Sequence, residues 1–155
     1  MSSLYMRKTI AQATANADTE LVIPTELTVD GRQGWDIIGV RWSVPTWNVG
    51  IDPTKDCSLQ IQLNTETGSQ TFVDPDSIVN FHLQTSGITA STSAFEVNSY
   101  GISELVAPRT TVQPNLYLHV LSTNLLAPMS VNVEIVYDIV KLTDIEVMRL
   151  LQGGA

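Results

Sequence analysis

The chain has 155 residues, eight Lys and Arg against sixteen Asp and Glu, a net charge of −8 and a single cysteine. That length suits one domain, large enough to bury a core without disulfide or metal staples, and one cysteine excludes an intramolecular disulfide and fits a reducing compartment. An acidic balance with no basic cluster beyond Arg7-Lys8 argues against strong direct nucleic-acid binding, which needs clustered cations on the phosphates. No apolar run approaches the roughly 20 residues of a membrane span. The first twenty residues lack the apolar core of a signal peptide, so a soluble, cytoplasmically made protein is expected. Thr, Val and Ile make up 45 of the 155 residues, and side chains branched at Cβ favour the pleated surface of a sheet.

In chain order, residues 1–17 read as an N-terminal arm, 18–142 as a β domain and 143–155 as a C-terminal helix and tail. Residues 19–29 carry a strand broken or bulged at Pro24, which cannot donate to a ladder. Residues 34–44 form a central strand with both faces covered. A plain period of two places Trp35, Ile37, Gly39 and Arg41 on one face and Asp36, Ile38, Val40, Trp42 and Val44 on the other. Trp35 and Trp42 are therefore expected to point in opposite directions.

A Pro/Gly/Asp-rich loop follows, carrying Trp47. From Cys57 the alternation is strict, with Cys57, Leu59, Ile61 and Leu63 inward. Residues 66–69 read as a hairpin turn and 70–73 as the returning strand. Asp74 and Pro75 suit the start of a helical turn leading into a strand through Ile78–Leu83, although the whole segment could equally be strand. Residues 85–94 are a small, polar loop, 95–98 and 102–106 short strands, and 107–115 a loop with Pro108 and Pro114. Residues 115–123 alternate again. From Met129, Val131, Val133, Ile135, Tyr137 and Ile139 face one way, the longest strand of the chain. Eight to nine strands with frequent turns and no interleaved long helices predict an all-β, antiparallel β-sandwich of jelly-roll or Greek-key type with a short C-terminal helix.

That helix starts at Thr143-Asp144-Ile145-Glu146, a capping box in which Thr and Glu side chains satisfy each other's backbone N–H, with Asp144 and Glu146 at the positive end of the dipole. Its apolar side chains cover more than one face. Either it folds back over one end of the sandwich, or part of it packs on a neighbouring subunit. Leu4, Tyr5 and Met6 pose the same choice.

No pattern for a cofactor or a catalytic metal is present, and no G-x-S-x-G elbow, so no enzymatic activity is expected. Asp52 with Asp56, and Asp74 with Asp76, could bind calcium, but turn and capping roles suit them better. His82 and His119 lie on strands and read as structural. Cys57 reads as core. Trp47, in a loop, is the best candidate for an exposed contact.

The strand count, the long Pro/Gly/Ser loops, the Thr/Val/Ile-rich composition, the N-terminal arm and the long final strand with its apolar tail together resemble the single jelly-roll capsid proteins of small icosahedral viruses. The resemblance spans most of the chain and is architectural. It implies a self-assembling shell subunit present in many copies, alone or beside other capsid proteins, in a virion assembled in the host cytoplasm. Loops at the sandwich ends would meet at symmetry axes, and Leu4, Tyr5, Met6, Trp47, Met148 and Leu151 would bury area between subunits. The arm departs from capsid proteins that hold a genome through a basic N-terminus, since it has only Arg7 and Lys8. The shell would then not hold the genome directly, or the chain would be a minor, vertex or decoration component. The alternative is a lectin-like or receptor-binding module using loop aromatics such as Trp47.

Overall fold

The computed structural model describes residues 3–27, 32–69, 77–85 and 100–152, with backbone alone for Asn48 and for 100–108. Among the described residues, eight strands form two four-stranded antiparallel sheets. The first has the order β1 (Leu4–Ala11), β8 (Ser130–Lys141), β3 (Gln33–Ser43), β6 (Tyr100–Thr111). The second runs β2 (Thr19–Pro24), β7 (Asn115–Thr123), β4 (Cys57–Asn64), β5 (Ser77–Thr85). Every connection except β4–β5 passes from one sheet to the other. This is the eight-stranded jelly roll, an all-β sandwich as expected.

The alternating segments behave as their period dictates. Leu59, Ile61 and Leu63 of β4, Leu116, Leu118 and Val120 of β7, and Val131, Val133 and Ile135 of β8 are all buried in the layer between the sheets. Cys57 is buried with them. Ile139, at the far end of β8, is half exposed because the strand runs past the core.

Strand β3 breaks its period. Its register against both β6 and β8 shifts between Ile37 and Gly39: Ile37 opposes Tyr137 and Gly39 opposes Val136, so Ile38 is an extra residue with no partner on β8. A bulge of this kind reverses the side-chain phase along a strand. Trp35, Ile37, Val40, Trp42 and Val44 consequently all enter the core, and the expectation that Trp35 and Trp42 face opposite ways is corrected. Trp35 stacks on Tyr137 at 3.8 Å and 17°. Trp42 meets Phe81 of the other sheet at 5.1 Å.

Two more boundaries differ. Leu4–Ala11, expected within an arm, is an edge strand paired with β8 from Leu4–Tyr137 to Ala11–Ser130. The segment from Ala107, expected as loop, belongs to β6 as far as Thr111; Pro108 is tolerated because the pairing of β6 with β3 skips from Glu104 to Arg109, so its missing N–H costs no ladder bond there. Pro24 ends β2, an edge strand. The strand expected at 70–73, the turn at Asp74-Pro75 and the strand at 95–98 lie outside the described residues, while Ser77–Thr85 is strand.

The loops at one end are tied to each other. α1 (Trp47–Gly50) is a single turn between β3 and β4. The Gly50 carbonyl accepts from Leu126 N–H at 2.7 Å, and the Met129 carbonyl accepts from Gln12 N–H at 2.9 Å. The Asn16 side-chain amide donates to the Leu125 carbonyl at 3.0 Å. At the opposite end, Leu142 N–H donates to the Arg32 carbonyl at 2.8 Å, and α2 (Asp144–Leu151) begins.

Candidate functional site

The capping box is formed: Glu146 N–H donates to Thr143 Oγ1 at 3.3 Å, and Thr143 N–H donates to Glu146 Oε2 at 2.7 Å. These bonds, Thr143's N–H foremost and its hydroxyl next, hold the Glu146 carboxyl below its ordinary pKa. Arg32 Nε lies 2.9 Å from Asp144. A helix so fixed at its start holds its faces in place. Val147 is its buried residue, whereas Ile145 is 65%, Met148 59% and Leu151 42% exposed. The helix buries Val147, half-buries Leu150 and turns its three other apolar residues to solvent. Leu4, Tyr5 and Ile139 lie at that same end of their strands and are exposed as well.

Of the six residues expected at a subunit contact, Leu4, Tyr5, Met148 and Leu151 are exposed and Met6 packs partly against the core. Trp47 is fully buried. Its one-turn helix rolls the indole into the core, which removes it as an exposed contact. Val49, 81% exposed, and Leu126, 63% exposed, stand at that loop end instead, joined through the Gly50–Leu126 hydrogen bond. They were not singled out in the sequence because neither sits in a periodic segment. Leu126 also follows Leu125, which is buried and bridges to Ile51.

Asp52 has the turn role expected of it. Asp52 Oδ1 accepts from Thr54 Oγ1 at 2.7 Å and Thr54 N–H at 2.9 Å, which lowers its pKa, the hydroxyl bond most and the N–H bond next. The Asp56 carbonyl accepts from the Asn124 side chain at 2.8 Å. Asp74 and Asp76 lie outside the described residues. Among the described residues no group of three or more His, Cys, Asp or Glu is placed to hold a metal, and no helix is long and apolar enough to cross a membrane.

The histidines stand apart. His82 is exposed on β5 opposite Gln60, and His119 is buried on β7 opposite Gln62. The His119 Nε2 meets Asp18 Oδ1. Cys57 Sγ is surrounded by backbone of Asp52, Lys55 and Asn124, with neither histidine among its partners there. The outer face of the second sheet also carries buried Gln62 and Asn64. The Asn64 amide donates to Gly68's carbonyl at 3.1 Å, and Glu20 accepts from Thr67 Oγ1 and Gly68 N–H at 2.7 Å each. The chain after β4 is thereby strapped over that face.

The outer face of the first sheet carries a groove of about 390 Å³ lined by Arg7, Thr9, Arg41, Ser43, Asn132 and Glu134 with backbone of β1, β3 and β8. Arg7, Glu134 and Arg41 form one cross-strand row, the first and last donating to the two oxygens of Glu134 at 2.6 and 3.3 Å. Thr9, Asn132 and Ser43 form the next row, with bonds of 2.8 and 3.5 Å.

No protein-family model matches the chain, and no curated protein matches it.

Proposed function

We propose that this chain is a structural subunit that self-assembles in many copies into a viral or virus-like shell, as its major or a minor component, and resides in the virion. The observation carrying this reading is the capped α2 helix that holds Ile145, Met148 and Leu151 in solvent. Fully burying such side chains is worth about 1.5–3 kcal/mol each, and exposed apolar patches of this kind mark association surfaces. A second apolar pair, Val49 and Leu126, stands at the opposite end of the sandwich. Unlike patches at opposite ends favour a heterologous contact, and such a contact repeats into closed rings or extended arrays. Leu4 and Tyr5, on opposite faces of β1, are exposed at the same end as α2. An acidic net charge supports a genome, if the shell holds one, being held by another component. The lectin-like reading loses its aromatic anchor with Trp47 in the core.

The test is particle mass by light scattering, with negative-stain imaging, for the unaltered chain and for Met148→Asp with Leu151→Asp. The expected result is large closed particles for the first and a folded monomer near 16.9 kDa for the second. A monomeric unaltered chain at high concentration overturns the reading. Unfolding of the double variant would show that the α2 face packs within its own subunit.

A further inference from the structure

We propose that the groove on the outer face of β1, β8 and β3 binds a small acidic sugar, through its carboxylate or sulfate at Arg7 and Arg41 and its hydroxyls at Thr9, Asn132 and Ser43. The chain carries eight cations and a net charge of −8, yet two of those eight, Arg7 and Arg41, line this groove against one carboxylate, Glu134. Stability does not call for this arrangement. Exposed ion pairs contribute about 0–1 kcal/mol, and a second cation on one carboxylate leaves the site net positive.

The geometry suits recognition. Glu134 lies on the strand between the two arginines and holds Arg7 by Nε and Arg41 by Nη1. A guanidinium has five N–H donors, so each arginine keeps several beyond the one bond that orients it. Neighbouring strands lie about 4.8 Å apart, so the two arginine stems, on the strands either side of β8, stand roughly 10 Å apart with Glu134 between them, and an acid group would sit above Glu134 against the N–H groups that Glu134 leaves over. Planar forks of this kind match carboxylate and sulfate-like oxygens in pairs. The adjoining row of hydroxyl, amide and hydroxyl can both donate to and accept from sugar hydroxyls. Tyr5 lies on the same outer face of β1, one outward position from Arg7, and is exposed. The volume falls in the range of small-ligand sites, roughly 300–1,000 Å³.

The acidic remainder of the molecule separates this ligand from a polyanion. A single acid group feels the arginines within a Debye length of about 10 Å. A long phosphodiester chain would also run over surface of net negative charge.

Calorimetric titration of the full chain with glucuronic acid, galactose 6-sulfate, neutral galactose and inorganic sulfate tests the proposal. The expected result is saturable binding of one or both acid sugars, the responding one giving the acid group, with no binding of galactose and with affinity falling as salt rises. Arg7→Gln and Arg41→Gln should each weaken binding about tenfold while circular dichroism stays unchanged. Asn132→Ala should weaken the sugar acids and leave inorganic sulfate unaffected. Failure of both acid sugars to bind, equal binding of galactose, or inorganic sulfate binding as tightly as the sugar sulfate would overturn it. So would indifference to both arginine substitutions. Running the same titrations on the Met148→Asp, Leu151→Asp monomer separates this result from the fate of the shell reading.

Discussion

Strand β3 offers the sharpest test of how this sandwich is built. Because Ile38 is the extra residue of the bulge, deleting it joins Ile37, opposite Tyr137, directly to Gly39, opposite Val136. The ladder with β8 becomes regular, and Trp35, Ile37, Val40 and Trp42 stay on the core face. The loss is the half-buried Ile38 side chain itself and an adjustment of β6, about 1–2 kcal/mol. Deleting Arg41, three residues later, acts in the opposite sense. It removes a residue that has a partner on each side, and the phase of everything beyond it flips. Trp42 and Val44, both buried, then turn outward, or the residues before them do. At about 1.5–3 kcal/mol per buried side chain the cost is roughly 3–6 kcal/mol, against a total domain stability of about 5–15 kcal/mol. The exposed Arg41 ion pair adds at most about 1 kcal/mol. Urea unfolding followed by tryptophan fluorescence measures both, best at low protein concentration in the Met148→Asp, Leu151→Asp background, so that any self-association is kept out of the apparent stability. If the two deletions cost the same, or if the Ile38 deletion is the worse, the bulge does not set the faces of β3 and the reasoning fails.

The α2 cap makes two linked predictions. Thr143→Ala should destabilise the helix by about 1 kcal/mol, seen as faster amide exchange across Asp144–Leu151, with the sandwich amides unchanged. The folded pKa of Glu146 lies below its unfolded value, so its contribution is present above the ordinary carboxylate range and is lost as pH falls through the lowered value. Amide exchange in α2 should therefore rise on acidification in the native chain, and Thr143→Ala should flatten that dependence. Asp52 follows the same sign through Thr54. At the other end, a Cβ at Gly50 would stand 1.7 Å from Met129 Cε, and Met129 is itself buried. Gly50→Ala should cost about 1–3 kcal/mol, and pairing it with Met129→Ala should give a sum well short of additive in chemical denaturation.

The candidate contact surface was partly visible before the structure. Met148 and Leu151 followed from the excess of apolar residues on a short capped helix, and Leu4 and Tyr5 from apolar residues next to a terminus. Val49 and Leu126 were not, since a loop residue's exposure depends on which neighbouring loop covers it. Trp47 was misplaced for the same reason: being in a loop says nothing about which way a one-turn helix rolls its first side chain. The anion groove was hidden because Arg7, Arg41 and Glu134 lie far apart in the chain and meet only through the pairings of β1 and β3 with β8.

What the sequence determined by itself is what local chemistry controls. The alternation of Cys57–Leu63 and of Met129–Ile135 follows from the two-residue period of a strand. The capping box at Thr143–Glu146 closes within three residues. The all-β class follows from composition and turn spacing. Only the tertiary structure decided that Leu4–Ala11 is a strand, because its partner lies more than a hundred residues away. The same holds for Pro108, which sits within β6 where its pairing with β3 skips from Glu104 to Arg109. It holds most clearly for Trp35 and Trp42. They share the core because a bulge, set by the pairings on both sides of β3, shifts the phase between them, and one extra residue is invisible to any period read along a single strand.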